Sequence, residues 1–157
     1  MSYESHNEII WNVKKFNELS ASELYEILKL RSSVFVVEQN CIYEDIDDND
    51  QKAFHLCGRY NGILIAYTRL FNKDQIYKDY LCIGRVCTSF TSRRMGFGRS
   101  LMETSINECY RIFGIYPIKI SAQSYLKNFY GGLGFEKCGD EYLEDGIPHI
   151  PMIRTCS

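Results

Sequence analysis

A basic turn containing two glycines carries the clearest chemical signal in this 157-residue sequence. The turn runs from Arg93 to Arg99 and joins a β-rich segment to a segment whose apolar residues recur at helical spacing. Gly96 and Gly98 let the main chain approach a ligand closely, and the first amides of a helix favour an anion such as a diphosphate. Together with Arg94, the flanking arginines add positive charge. We therefore predict an anion-binding site, although the same Gly-x-Gly spacing also suits an ordinary tight turn.

Three common ligand motifs do not fit the sequence. No Gly-Lys-Ser/Thr follows the turn, and the third position of a dinucleotide-binding Gly-x-Gly-x-x-Gly is Leu101. Asp45 begins a stretch that resembles an EF-hand loop, but the sixth position is Asp50 and the twelfth is Leu56. We therefore expect no nucleotide loop of these types and no bound metal.

The elements around the turn predict a single mixed α/β domain over residues 1–157. Ser20 opens a helix through a capping box, and Ser124 is expected to cap a short helix that reaches Tyr130. Asn61-Gly62 predicts a type I′ hairpin turn. Strands are predicted at residues 9–13, 54–60, 63–71, 80–88, 118–122, 135–138 and 149–153, and a longer helix at 98–114.

Composition narrows the class of protein. Hydrophobic residues make up 45% and charged residues 24% of the chain, as in a folded globular protein. A formal charge of −2 and scattered basic residues give no reason to expect nucleic acid as a partner. Apolar stretches of strand length, no visible secretory signal and seven cysteines without a Cys-x-x-Cys pair predict a cytoplasmic protein with reduced thiols and no membrane association.

Two separated motifs resemble those of one enzyme superfamily. Arg93-x-x-Gly96-x-Gly98, following Val86-Cys87-Thr88, resembles the acetyl-CoA signature of the GNAT N-acetyltransferases. The family's later motif, a strand and a short helix ending in Tyr before a Gly-Phe pair, is matched by Phe129-Tyr130 and Gly134-Phe135. Segments 36–41, 45–47 and 144–149 further resemble the ElaA-like branch, so that the likeness extends over nearly the whole chain.

The resemblance implies a central mixed sheet, flanked by helices, that splays between its fourth and fifth strands and holds acetyl-CoA in the gap. Main-chain amides near Cys87 would polarise the thioester carbonyl, and Tyr130 would give a proton to the departing thiolate. Gln123 stands where many relatives carry Asn, and its amide can take over a contact with the pantetheine arm. The residues implied to contact acetyl-CoA are Val86, Cys87, Thr88, Arg93, Arg94, Met95, Gly96, Phe97, Gly98, Arg99, Gln123 and Asn128.

The same resemblance implies direct acetyl transfer to an amine of a small molecule or peptide, without a metal. The base that deprotonates the amine is left open among Glu38, Glu44, His55 and His149, each of which also suits a structural or solvated role. All of these except His55 are also candidates for contacts with the acceptor. The acidic stretch 38–50 is typical of a solvated surface loop, and it could instead attract a cationic amine. Cys41 is a weaker candidate, as a nucleophile relaying the acetyl group.

Two other functions remain compatible with the sequence. One is a non-catalytic acyl-CoA sensor or partner-binding module that keeps the pocket without turnover. The other is an enzyme that uses a different acyl chain or a hydroxyl acceptor. Pairing of two subunits along a sheet edge is also possible on this reading.

Overall fold

One mixed sheet organises the computed structural model, which describes residues 8–156. Its strands are β1 (Ile9–Lys15), β2 (Phe54–Tyr60), β3 (Ile63–Phe71), β4 (Leu81–Thr88), β5 (Ile118–Gln123), β6 (Phe135–Lys137), β7 (Tyr142–Glu144) and β8 (Ile147–Arg154). Within these residues the spatial order is β1-β2-β3-β4-β5-β8-β6, and the short β7 also pairs with β8. Only β4 and β5 are parallel, so the sheet is mixed as predicted.

Helices cover both faces of the sheet. They are α1 (Ala21–Arg31), α2 (Phe97–Phe113) and α3 (Lys127–Gly131). Because side chains alternate along a strand, neighbouring positions of β3 show where the long helices lie. Tyr67 packs in a cluster with Ile27 of α1, whereas the hydroxyl of the next residue, Thr68, lies 2.8 Å from that of Ser105 of α2. The two helices therefore pack on opposite faces.

The sheet opens between its fourth and fifth strands, as expected. β4 and β5 are in register only at Leu81 with Ile118 and at Cys82 with Lys119, whereas β5 pairs with β8 along its whole length. Beyond Cys82, the edge of β4 that faces β5 has no strand partner among the described residues. A wedge-shaped gap is the result, with main-chain groups on one wall.

A β-bulge that was not predicted lies in β4 beside this gap. Tyr67 pairs with Cys87 and Arg69 pairs with Gly84, so Thr68 lies opposite two residues of β4. One of them, Arg85, has a φ of 49°, in the left-handed region that side chains other than glycine seldom adopt. The bulge ends regular pairing at the point where the strands diverge.

Most of the predicted elements are confirmed within a residue or two. Ser20 and Glu23 form the expected capping box, and Asn61 and Gly62 have the positive φ values of a type I′ turn, 51° and 79°. The expected cap at Ser124 is wrong, because its buried hydroxyl has no hydrogen-bond partner in the described part of the chain and a 3-10 turn precedes α3. The elements that were not predicted include the exposed three-residue strand β7 and a π-helical segment, Ser32–Glu38, that continues α1.

Candidate active site

A cavity of about 920 Å³ lies in the gap between β4 and β5. Its walls combine three parts of the chain: the bulged end of β4, the start of α2 with α3, and the β7–β8 hairpin. The segment after α1 closes another side through Phe35, Glu38 and Tyr43. A volume of this size accommodates a ligand larger than a single amino acid.

The wall from β4 includes Val86, Cys87 and Thr88, three of the residues singled out from the sequence. Cys87 is buried, and burial raises the pKa of its thiol to about 12, so this side chain stays uncharged and is a poor nucleophile. The main-chain amides of this wall can instead donate to an oxygen on which negative charge develops.

The glycine turn lies directly before α2, as predicted. Gly96 precedes α2 with a φ of 75°, and a side chain added there would meet no atom within 4 Å. Gly98, in the first turn of the helix, lines the cavity. Since the first amides of a helix have no partner within it, this end of α2 can donate hydrogen bonds to an anion.

Arg93 lies at the rim of the cavity and is already paired. Its guanidinium makes two hydrogen bonds to the Glu38 carboxylate, one of them 2.7 Å long, and a further one of 3.1 Å to the carbonyl of Thr88. The hydrogen bonds and charge of Arg93 lower the pKa of Glu38, which is thereby kept ionised. The pair ties the π-helical segment after α1 to the end of β4, and the guanidinium that was predicted to meet a phosphate is bound by Glu38 in this conformation.

Tyr130 lines the cavity from α3 and is 5% exposed. Its ring meets those of Phe129 and Phe135 edge to face, which fixes its position. Burial, with a smaller effect of Tyr125, raises the pKa of Tyr130 well above its ordinary value. The phenol is therefore protonated at neutral pH and can act as a proton donor.

One end of the cavity is formed by the β7–β8 hairpin. His149 is buried there, and its Nδ1 lies 2.7 Å from the carbonyl oxygen of Ile147. Its Nε2 lies 3.2 Å from Oε2 of Glu144, and the Tyr142 ring stacks on the imidazole. Cys41 reaches this end from the other side, with Sγ 3.2 Å from the carbonyl of Asp145.

The acidic stretch is not a solvated loop, and that expectation is wrong for three of its aspartates. Asp45 and Asp50 are buried, Asp47 is half-buried, and all three bind arginines. Burial alone would raise the pKa of Asp50, but the hydrogen bonds and charge of Arg31, with the charge of Arg69, lower it. We name Arg31, Arg69, Arg85, Asp45, Asp47 and Asp50 the arginine–aspartate network.

Arg85 connects this network to the cavity. Its Nε lies 2.7 Å from Asp45 Oδ1 and its Nη2 lies 3.0 Å from the main-chain oxygen of Asp45. On its other side Asp45 accepts a 3.0 Å hydrogen bond from Arg31, which is fully buried. The network therefore clamps the strained residue of the bulge, and its carboxylates are already neutralised rather than free to attract an amine.

His55, one of the four candidate bases, lies outside the cavity wall. Both of its ring nitrogens are engaged, one 2.6 Å from the hydroxyl of Tyr67 and the other 2.9 Å from the carbonyl of Asp50. Burial lowers the pKa of His55. Its role is structural: it packs against the network from within the core.

Apart from Cys41, which is on the cavity wall, and His55, which is not, ten of the residues singled out from the sequence lie on the wall and six lie off it. The residues on the cavity wall are Tyr130, Val86, Cys87, Thr88, Arg93, Gly98, Gln123, Glu38, Glu44 and His149. Those off the wall are Arg94, Met95, Gly96, Phe97, Arg99 and Asn128. Among the latter, Phe97 packs against Tyr60 in the core, and Arg99 pairs with Glu103 on the surface of α2.

Other wall residues were not singled out as functional. Glu144 was quoted only as part of the family resemblance, and Phe35, Arg85 and Tyr125 had no assigned role. For Arg85 the available signal was its position inside the strand that leads to the glycine turn. For the others, contact with the cavity depends on packing between distant segments.

The splayed sheet, the glycine turn and the cavity between β4 and β5 together define an acyltransferase fold of the GNAT class, which generally binds acyl-CoA. The chain belongs to the GNAT family: residues 17–156 match the model described as acetyltransferase (GNAT) domain. This confirms the resemblance found in the sequence.

Similar proteins and structures include members of the ElaA-like branch. The chain is 41% identical to protein ElaA of Escherichia coli over 148 residues, covering 93% of this chain and 96% of ElaA. It is 43% identical to a UPF0039 protein of Synechocystis, covering 93% and 95% of the two chains. The crystal structure of E. coli ElaA superposes with a TM-score of 0.86 at 40% identity, covering 94% of this chain and 99% of that one. An acyl-CoA N-acyltransferase from Pseudomonas aeruginosa gives 0.87 at 39% identity, covering 93% and 99%.

Residues 8–156 lack two further features. They contain no group of three or more His, Cys, Asp or Glu side chains placed to hold a metal ion. None of the helices formed by these residues is both long and apolar enough to span a bilayer.

Proposed function

We propose that the chain is an acetyl-CoA-dependent N-acetyltransferase that passes the acetyl group directly to an amine of a small molecule or peptide. The observation that carries the proposal is the convergence of Tyr130, the unpaired edge of β4 and the first turn of α2 on one cavity. Nothing else in the described chain gathers an oxyanion donor, an anion site and a proton donor in this way.

Each part of the cavity has a task in this reaction. The start of α2 would hold the diphosphate of the coenzyme, and the pantetheine arm would lie along β4 in the place of a missing strand. Amides near Cys87 would donate to the thioester oxygen as it becomes an oxyanion. Tyr130, kept protonated by burial, would give its proton to the thiolate as the C–S bond breaks.

Replacement of Tyr130 tests the proposal. In Tyr130→Phe the buried ring and its packing are kept and only the proton donor is lost, so we expect kcat to fall by about 10²-fold or more with little change in the Kd for CoA. The matched control is Tyr25→Phe, which removes an exposed hydroxyl from α1 and should change neither quantity.

The readout is the mass of the acetylated amine, measured with a panel that includes polyamines and lysine peptides. Thiol reagents are less suitable, because Cys138 and Cys156 are exposed and would react as well. A wild-type protein that binds CoA but acetylates no amine would instead indicate a non-catalytic acyl-CoA sensor. If turnover is faster with another acyl-CoA, the acyl group of that compound takes the place of acetyl in the proposal.

A further inference from the structure

We infer that His149 accepts the proton of the acceptor ammonium and that Glu144 holds that ammonium beside it. The inference rests on the proposed function and supplies its missing base. The sequence left four candidates for this base, and they differ in the contacts that each makes in the structure.

The surroundings of His149 fix its tautomer. A carbonyl oxygen only accepts hydrogen bonds, so the 2.7 Å contact with Ile147 places the hydrogen on Nδ1. In its neutral form the ring therefore carries its lone pair on Nε2, the nitrogen nearer to Glu144. The stacked ring of Tyr142 and the burial of the imidazole hold it in this orientation on the cavity wall.

Glu144 differs in its partners from Glu38 and Asp47, two other carboxylates of the wall. Among residues 8–156 it contacts His149 at 3.2 Å and the hydroxyl of Ser121 at 3.5 Å, and it pairs with no arginine. Glu38 and Asp47, by contrast, are each bound by an arginine. With half of its side chain exposed, Glu144 is a carboxylate available to a cation that enters the cavity.

The three remaining candidates lack one requirement each. The Glu38 carboxylate is held by Arg93, which lowers its pKa and its strength as a base. His55 has both nitrogens engaged away from the cavity. Glu44 lies on the wall, but no hydrogen bond in the described part of the chain orients its carboxylate. Only His149 combines access to the cavity, a fixed lone pair and an adjacent carboxylate.

The protons balance in the following sequence. An ammonium bound by Glu144 loses one proton to Nε2 of His149, and Glu144 then pairs with the imidazolium until that proton reaches solvent. The freed lone pair attacks the thioester carbon and forms the C–N bond, with the oxygen becoming an oxyanion. Its collapse breaks the C–S bond, Tyr130 protonates the sulfur, and the second proton lost by nitrogen restores Tyr130.

His149→Asn tests this assignment. The asparagine amide can keep the hydrogen bond to the Ile147 carbonyl, while the basic Nε2 is removed. Rates are compared for two acceptors, an alkylamine that is an ammonium ion near neutral pH and methoxyamine, which is already unprotonated there. We expect a loss of about 10²-fold in kcat/KM with the alkylamine and a loss at least tenfold smaller with methoxyamine, since only the first needs a base.

Glu144→Gln provides a second variant that leaves the core untouched, with Glu141→Gln as its exposed control nearby. We expect it to raise KM for the alkylamine about tenfold, to leave KM for methoxyamine within twofold, and to leave the Kd for CoA unchanged. Equal losses with both acceptors in the His149 variant, or no change in KM in the Glu144 variant, would overturn the inference alone. Failure of the wild-type protein to acetylate any amine would overturn the proposed function, and the inference with it.

Discussion

At the scale of single residues, the pairing of Arg93 with Glu38 sets a competition at the cavity rim. Arg93 was predicted to meet the phosphates of the coenzyme, yet its guanidinium is bound to a carboxylate. A phosphate that recruits Arg93 must displace Glu38, or share the arginine with it. Half-exposed ion pairs contribute only about 0.2–1 kcal/mol, so this exchange is within reach of a bound ligand.

Removing the competing carboxylate should therefore strengthen binding of CoA. In Glu38→Gln we expect the Kd for CoA to fall about two- to fivefold, the factor that corresponds to the energy of such a pair. The free energy of unfolding should change by less than about 1 kcal/mol. Calorimetric titration and urea denaturation measure the two quantities.

Glu108→Gln is the matched control, because it breaks a surface pair with Arg111 near the other end of α2. It should leave the affinity for CoA unchanged. If Glu38→Gln also leaves it unchanged, Arg93 makes no contact with the coenzyme.

At the scale of elements, the start of α2 depends on one backbone conformation. Gly96 has a φ of 75° in open space, so an added Cβ would meet no neighbour and only the left-handed backbone would resist it. Such a conformation costs other residues about 1–2 kcal/mol. Glycine is thus needed at this position because of its backbone conformation, and not because space for a side chain is lacking.

Gly96→Ala should lower the free energy of unfolding by about 1 kcal/mol and weaken CoA binding, because relaxation of the turn shifts the first amides of α2. Urea denaturation and calorimetry with CoA provide the measurements. Gly131→Ala is the control: it also adds a Cβ in open space, but at the end of α3 without a positive φ, so it should be neutral or slightly stabilising. Equal stabilities for the two variants would contradict the role given to Gly96.

Elements encoded by short-range signals could be predicted from the sequence. The capping box at Ser20, the hairpin turn at Asn61 and the glycine that ends α2, Gly114, each act within a few residues. The bulge at Arg85 could not be predicted, since it depends on Asp45, 40 residues away in the chain. The same holds for the candidate site. The turn before α2 could be predicted from adjacent residues, whereas the pairing of Glu38 with Arg93 could not, because it joins residues 55 positions apart.

At the scale of the whole molecule, the arginine–aspartate network joins segments that are far apart in the sequence. Asp50 receives hydrogen bonds of 2.7 Å from Arg31 and 3.0 Å from Arg69, so α1 and β3 meet at one buried carboxylate. Charges in the interior are costly to leave unpaired. Removing one member therefore leaves the charge of another member unpaired in the interior.

Asp50→Asn should destabilise the protein by about 3–5 kcal/mol at neutral pH, because it leaves two buried guanidinium groups without that partner. The folded pKa of Asp50 is below its unfolded value, so its contribution is fully present above about pH 4 and is lost as pH falls towards the folded pKa. The stability gap between wild type and variant should therefore narrow in acid. Urea denaturation over a pH series measures it.

Asp140→Asn, at an exposed position, should show no such gap at any pH. A constant difference between wild type and Asp50→Asn down to the lowest pH at which both fold would mean that the carboxyl charge is not what stabilises the network.

The divergence of β4 from β5 after two residue pairs has a consequence for how such a protein can change over time. On the proposed function, the coenzyme is read by peptide groups that every amino acid supplies, so exchanging side chains along β4 leaves that half of recognition in place. On the same proposal, the facing hairpin would meet the acceptor with side chains such as Glu144 and His149, where a single substitution changes charge or length. The wall that would bind the coenzyme therefore tolerates substitutions, whereas substitutions in the wall that would bind the acceptor change which acceptor fits.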